Sequence, residues 1–303
     1  MEKIIHHTIA DLYQTLNLPF TGAMDFAILS VPAIHEQIPF SSPKLRADYF
    51  SFILTKSGAG VYYLDDNRFP FGSQSIYFTN PGHLKSYELL ASKEAFIITL
   101  TERFLREDVQ PDIYEAFPFL LAEKVPPQEL PTEDFENIAS LYQQIWAEFY
   151  GDSRFKSKIL GNLMMILLLK IKEKFWADYN PLEEGSRDSQ IVRSFKQLVE
   201  AEFKRILRND HREANRQVQY FAKQLNLHPN YLNSVIKSKT GRTVNDWISE
   251  RTLSVAKSLL LDTSASAKEI AYQLGFSEPT HFSRFFKKHT QQSPSAFRKA
   301  ERL

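Results

Sequence analysis

The stretch FAKQLNLHPNYLNSVIKSKTG, which begins at Phe221, decides how the chain is read, because its pattern returns from Ile270 as IAYQLGFSEPTHFSRFFKKHTQ. Ala222, Leu225 and Leu227 recur forty-nine residues later as Ala271, Leu274 and Phe276. Leu232, Ile236, Lys237 and Thr240 recur fifty later as Phe282, Phe286, Lys287 and Thr290, so a single residue has been inserted, and it falls in the turn. Each copy reads as a short helix starting near Arg216 or Lys268, a break, and a second helix with an apolar stripe at i, i+3, i+4. That stripe is Leu232, Val235, Ile236 in the first copy and Phe282, Phe285, Phe286 in the second. Pro229 and Pro279 fit the first turn of the second helices, where a missing N–H costs little, and Ser277 is the expected N-cap. The pattern predicts two helix-turn-helix units in tandem. One long helix over 244–261, apolar along Val244, Trp247, Ile248, Val255, Leu259 and Leu260, joins them.

Charge separates this tail from the rest. From Glu213 onward there are fourteen Lys or Arg against seven Asp or Glu, a balance of +7, which leaves −6 for the preceding residues of a chain whose total is +1. A basic domain attached to an acidic one points to a polyanionic partner for the tail alone. A helix that enters the major groove buries one stripe and presents short polar or forked side chains opposite. The first copy offers Asn230, Asn233, Ser234 and Lys237, and the second Thr280, His281, Ser283, Arg284, Lys287 and Lys288. Asn suits adenine and Arg suits guanine, whereas Lys237, Lys287, Lys288 and Arg242 suit phosphates, so the expected partner is double-stranded DNA. Two readers fixed to one helix would face one side of the duplex about one turn apart, roughly 34 Å.

At 303 residues the chain can bury at least two cores. The absence of cysteine excludes disulfides and thiolate metal sites and suits a reducing compartment. The first residues, MEKIIHHTIADLYQTL, lack the apolar core of a secretory signal. The longest apolar run, 163–169, is too short to span a bilayer. The expectation is a cytoplasmic protein without a membrane partner.

Residues 1 to about 40, broken by Pro19, Pro32 and Pro39, read as short extended pieces. Short β-rich runs follow, YFSFILT at 49, GVYYL at 60, SIYFT at 75 and AFIITLT at 95, separated by Lys56-Ser57-Gly58, Asp65-Asp66-Asn67 and Asn80-Pro81-Gly82. They predict an antiparallel sandwich or small barrel, whose dense Tyr and Phe fit either an interior shaped for a small molecule or an ordinary aromatic core. Helices are expected from about 133 to 149 and from 153 to 179, the second apolar nearly all round through Met164, Met165, Leu168 and Leu169. Its cover is either its own subunit or the same helix of a second copy. NPLEEGSRD, from Asn180, reads as a linker before a helix over 189–207. The domain expectation is 1–180, then 181–210 as linker and connecting helix, then 211–303. The fold class is α+β: a β-barrel followed by helices, then an all-α tandem helix-turn-helix domain.

The stretch 222–298 closely resembles the DNA-binding domain of AraC/XylS-type transcription regulators. The resemblance rests on Tyr231-Leu232 with Thr240-Gly241, on Arg251 with Ala256 and Leu259-Leu260, and on Glu269-Ile270-Ala271 with Leu274-Gly275-Phe276. It continues through Phe282-Ser283-Arg284-Phe285-Phe286-Lys287 and Ser293-Pro294 with Phe297-Arg298. It implies base-reading positions at Asn230, Asn233, Ser234, Thr280, His281 and Arg284. One departure is Gln291, where such domains usually place glycine after the second recognition helix. The upstream strands are similar to the cupin-like arm that many such regulators use to sense an effector and to dimerise. The His-x-His pair of a metal-binding cupin is absent at 46–50, His83 follows Pro81-Gly82 alone, and Lys85 stands where such modules often place a histidine. His6, His7 and His35 are scattered, so neither metal nor cofactor is expected.

These features imply a sequence-specific DNA-binding transcription regulator, not an enzyme, controlled by a small effector and dimeric through its N-terminal domain. RNA polymerase would be a further partner of an activator. In the strands, Arg46, Tyr62, Tyr77 and Lys85 are the effector-binding candidates, and the cationic pair would favour an anionic or hydroxylated molecule. Two alternatives stand beside this reading. One is a cupin-type metal-dependent enzyme with an accessory nucleic-acid-binding domain, for which neither ligand nor nucleophile spacing is present. The other is an effector-free regulator whose barrel only dimerises.

Overall fold

Side-chain alternation along the strands organises the first of two compact units, Met1–Gly185 and Ser186–Leu303, in this computed structural model. The structure describes residues 4–6, 8–19, 24–35, 37–65, 67–122, 125–176, 187–207 and 215–301. His7 and most of the expected linker, together with 208–210, lie outside the described residues.

The first unit begins with β1 (Ile4–His6), α1 (Ile9–Thr15), β2 (Phe26–Ser30), α2 (Val31–Ile34), β3 (Phe40–Ser41) and β4 (Leu45–Ala47). Then come β5 (Phe50–Leu64), β6 (Asn67–Phe71), β7 (Ser75–Thr79) and β8 (Leu84–Leu100). After the short helical turns α3 (Glu102–Phe104) and α4 (Ile113–Ala116) and strand β9 (Gln128–Glu129), the unit closes with α5 (Thr132–Tyr150) and α6 (Lys156–Phe175). The sheet runs β1-β4-β8-β5-β7-β9, with β2 and β3 also on β8 and β6 also on β5. All pairs are antiparallel except β1 with β4.

Lys56-Ser57-Gly58, expected as a turn, is instead a bulged passage inside one fifteen-residue strand. A Cβ on Gly58 would lie 2.7 Å from the Ala91 carbonyl oxygen, and one on Gly60 2.5 Å from the Phe71 ring, so the glycines let neighbouring strands close on a bend. Before the bulge, even-numbered Phe50, Phe52 and Leu54 join Phe26, Ile28, Ile76, Phe78, Ile98 and Leu100 in a core with Phe135, Tyr142, Met164 and Leu167 of the two helices. Odd-numbered Ile53, Tyr77 and Ile97 face the other side, and the bulge brings Tyr62 and Leu64 of β5 to that same side. Helix α6 spans 156–175 rather than starting at 153, and the end expected at 179 lies outside the described residues. Gly161 sits where a Cβ would fall 2.1 Å from the Asp108 carbonyl oxygen, so no other residue fits that crossing without backbone movement.

The second unit is all helical: α7 (Arg187–Leu207), α8 (Val218–Gln224), α9 (Pro229–Thr240), α10 (Val244–Asp262), α11 (Ala267–Gln273), α12 (Pro279–Thr290) and α13 (Pro294–Glu301). Helix α7 buries Ile191, Phe195, Val199, Phe203 and Ile206 in the same core as α8 to α12, and Arg251 of α10 pairs with its Glu200 at 3.2 Å. The helix read from sequence as a connector is therefore packed as part of this core.

Candidate nucleic-acid interface and the cavity of the sheet

The two helix-turn-helix copies share their backbone devices as well as their sequence pattern. In the turn between helices, the Leu227 N–H donates to Ala222 O at 2.9 Å and the Phe276 N–H to Ala271 O at 2.9 Å. The residue just before takes a positive φ in both copies, 54° at Asn226 and 73° at Gly275. At the exit, the Thr240 hydroxyl donates to Ile236 O and the Thr290 hydroxyl to Phe286 O, each at 2.8 Å. Gly241 then takes φ 77° and Gln291 φ 62°, so the departure seen at Gln291 keeps the left-handed turn. The inserted residue falls before α12, whose N-cap is Glu278 and not the expected Ser277. Ser277 is one position too early because Pro279 sets the helix start.

Burial of Leu232, Val235 and Ile236 on α9, and of Phe282 and Phe286 on α12, turns the opposite faces to solvent. Asn230 and Ser234 are exposed on α9, and Thr280, His281 and Arg284 on α12. Lys237, Lys287 and Lys288 are exposed as well. Asn233 is half-buried, and its side-chain oxygen accepts the Val244 N–H at 3.1 Å. Arg242 pairs with Glu250 and lies over the Trp247 ring at 4.5 Å, so the guanidinium expected on a phosphate braces the turn into α10. Arg298 is likewise committed, donating to Leu260 O at 2.7 Å and Ala265 O at 2.6 Å beyond the end of α10. Arg216 stacks on Phe276 at 3.6 Å, linking the start of the first copy to the second.

In the first unit the sheet face away from α5 and α6 surrounds a cavity of about 300 Å³. Tyr62, Tyr77 and Lys85 line it; Arg46 does not, because alternation in β4 turns Leu45 inward and Arg46 the other way. The alternation also brings in residues that the sequence alone did not single out. Ser51 stands in register with both Thr79 and Thr99, so three neighbouring strands present a row of buried hydroxyls to the cavity. The Lys85 ammonium donates to Thr79 Oγ1 at 2.9 Å and sits 5.3 Å from the Tyr49 ring. Burial lowers its pKa from 10.5 to about 7. His6 bridges Tyr49 at 3.0 Å and Thr15 at 2.8 Å, His35 meets the Tyr87 hydroxyl at 2.6 Å, and burial lowers the pKa of both histidines. Outside the cavity, His83 pairs with Asp65 at 2.7 Å. Among the described residues no three His, Cys, Asp or Glu side chains are grouped to hold a metal ion.

In comparison with known proteins, residues 221–300 match the family model described as helix-turn-helix domain. The arabinose operon regulatory protein of Escherichia coli is 28% identical over 163 residues, covering 54% of this chain and 51% of that protein. The HTH-type transcriptional activator RhaR of Mannheimia succiniciproducens is 20% identical over 276 residues, 89% of this chain and 91% of its own. Among solved structures, the C-terminal domain of AraT, a response regulator from Geobacillus stearothermophilus, shares 30% identity over 38% of this chain and 88% of that domain, with a TM-score of 0.33. The chain spans about half the length of the arabinose regulator it matches. Among the described residues no helix is long and apolar enough to cross a membrane.

Proposed function

We propose that this chain, whose C-terminal unit is a helix-turn-helix domain of the AraC/XylS type, is a sequence-specific DNA-binding transcription regulator whose N-terminal unit takes a small effector. The observation that carries this reading is the pair of equivalent exposed faces on α9 and α12, fixed in one core with matching turns. Asn230, Asn233, Ser234, Thr280, His281 and Arg284 read base edges, while Lys237, Lys287 and Lys288 hold phosphates. Arg242 contributes by holding the α9–α10 turn. The faces are unequal: α9 is amide-rich, whereas α12 carries Arg284, Lys287 and Lys288 and supplies more of the electrostatic affinity. Recovery of one enriched site from a random duplex pool supports the reading; equal retention of every sequence at moderate salt contradicts it.

The effector site is the cavity beside Tyr62, Tyr77 and Lys85, and the protein works in the cytoplasm. An activator of this kind would also engage RNA polymerase. A homodimer through the N-terminal unit is favoured by one observation: Ile166 and Leu169 of α6 remain 42% and 51% exposed on a helix otherwise packed on its own unit. The alternative of a metal-dependent enzyme receives no support from relatives named as transcription regulators.

A further inference from the structure

The cavity in the first unit has a chemical bias that narrows what can occupy it. Lys85 is 8% exposed, and no carboxylate lies among the described cavity residues to balance its ammonium. The lining also lacks Asn and Gln among those residues, so its polar groups are hydroxyls, two imidazoles and one amine. Two of the hydroxyls, Tyr62 Oη and Thr99 Oγ1, are fully buried and have no hydrogen-bond partner. Burying an ammonium and unpaired hydroxyls costs stability unless something returns the lost interactions. An anionic group accepting from Lys85 would do so for the costliest of these, the charge. A polyhydroxylated neutral molecule would not, because the carboxylate and amide partners that orient many hydroxyls are missing from the lining.

The rest of the space is apolar. Ile53, Tyr77 and Ile97 line both this space and a smaller cavity of about 60 Å³ that reaches Phe71, Leu89 and Ala91 at the bend of the sheet. An apolar cavity of about 150 Å³ holds benzene, so the larger space, about 300 Å³, takes roughly a dozen non-hydrogen atoms on that scale.

Resting on the effector reading above, we infer that the cavity binds a monoanionic organic carboxylate, with its head on Lys85 and its apolar body along Ile53, Tyr77 and Ile97. Binding carries a proton signature. The other titratable groups facing Lys85 are His6, His35, Tyr49, Tyr62, Tyr77 and Tyr87; burial raises the tyrosine pKa values and lowers those of the histidines, so all are neutral near pH 8. Asp11 of α1 is turned to its own helix start, accepting the Thr8 N–H at 2.8 Å. Lys85 alone among these described groups then takes up a proton when an anion binds.

The test is calorimetry on the full chain with decanoate and 4-phenylbutyrate against their primary amides, and with neutral monosaccharides as a control. The acids should bind at least thirtyfold more tightly than the amides. At pH 8 proton uptake should approach one per acid, read from two buffers of different ionisation enthalpy, and it should be smaller at pH 6. Lys85→Met should erase the acid-to-amide ratio; its unfolding transition is measured alongside, and the wild-type ratio decides by itself if the variant does not fold. Equal binding of acid and amide, or binding of the monosaccharides alone, overturns the carboxylate assignment and leaves the effector reading standing. Failure of every compound also overturns it, while DNA selection judges the regulator reading separately.

Discussion

The side-chain oxygen of Asn233 accepts the backbone N–H of Val244 at 3.1 Å, so α9 satisfies a donor that the first turn of α10 leaves open. In the second copy the equivalent residues are Ser283 and Pro294, and proline has no N–H to satisfy. The copies therefore differ in what this position does for the fold. Asn233→Ala should lower the stability of the C-terminal unit by about 1 kcal/mol, as loss of a helix-start bond does. Ser283→Ala should leave it within about 0.5 kcal/mol of the starting protein. Chemical denaturation of the two variants checks the contrast.

Gln291 holds φ 62° where the first copy uses Gly241 at 77°. A left-handed residue with a Cβ is strained by roughly 1–2 kcal/mol, part of which glycine gives back through the entropy of the unfolded chain. Gln291→Gly should therefore stabilise the unit by about 0.5–1 kcal/mol, and Gly241→Gln should destabilise it by a similar amount. Thermal unfolding of both variants reads the sign directly.

The basic residues of the second unit should divide by role. Lys287→Ala should weaken DNA binding evenly across sequences and reduce the salt slope by about 1. Arg242→Ala should leave that slope unchanged and lower the melting temperature, because Arg242 is engaged with Glu250 and Trp247. Binding titrations at several salt concentrations separate the two effects.

Lys85 sets a pH dependence for the free N-terminal unit. Its folded pKa is about 7, below the ordinary 10.5, so the folded state releases its proton before the unfolded state does. Stability is then lowest below pH 7 and rises as pH climbs from 7 toward 9.5, on the order of a few kcal/mol at about 1.4 kcal/mol per unit of pKa separation. Lys85→Met should flatten this rise, which denaturant titrations at pH 7 and pH 9 would detect.

The exposed face of α6 leads to a separate expectation for assembly. Replacing Ile166 and Leu169 with Glu should convert a dimer to a monomer without lowering the melting temperature of the monomer, since neither side chain is part of the buried core. Sedimentation velocity distinguishes the species.

The doubled helical pattern was legible because period, turn residues and spacing all agreed over 221–291, and the structure repeats the same backbone bonds in both copies. The N-terminal sheet was legible in kind but not in path. Gly58 looks like a turn residue, yet it and Gly60 permit close strand contact at a bulge, and only register distinguishes a turn from a bulge. Register also decides that Lys85 faces the cavity and Arg46 does not, since a one-residue shift exchanges the faces of a strand. The amphipathic pattern of 189–207 predicts a helix with one buried face, but nothing local says which core receives it. Asn233 and Arg242 read from sequence as polar surface residues, and their partners across the turn, Val244 and Glu250, emerge only with the fold.

The most direct test of the account is to select duplex sites from a random pool with the unaltered chain and with Arg284→Ala, then to measure the affinity of both proteins for the enriched site and for its single-base variants. The account predicts one enriched site, and for Arg284→Ala a loss of about 1–3 kcal/mol with discrimination relaxed at one base step and retained elsewhere. No enrichment by the unaltered chain, or an Arg284→Ala variant that keeps full discrimination at every step, would contradict it.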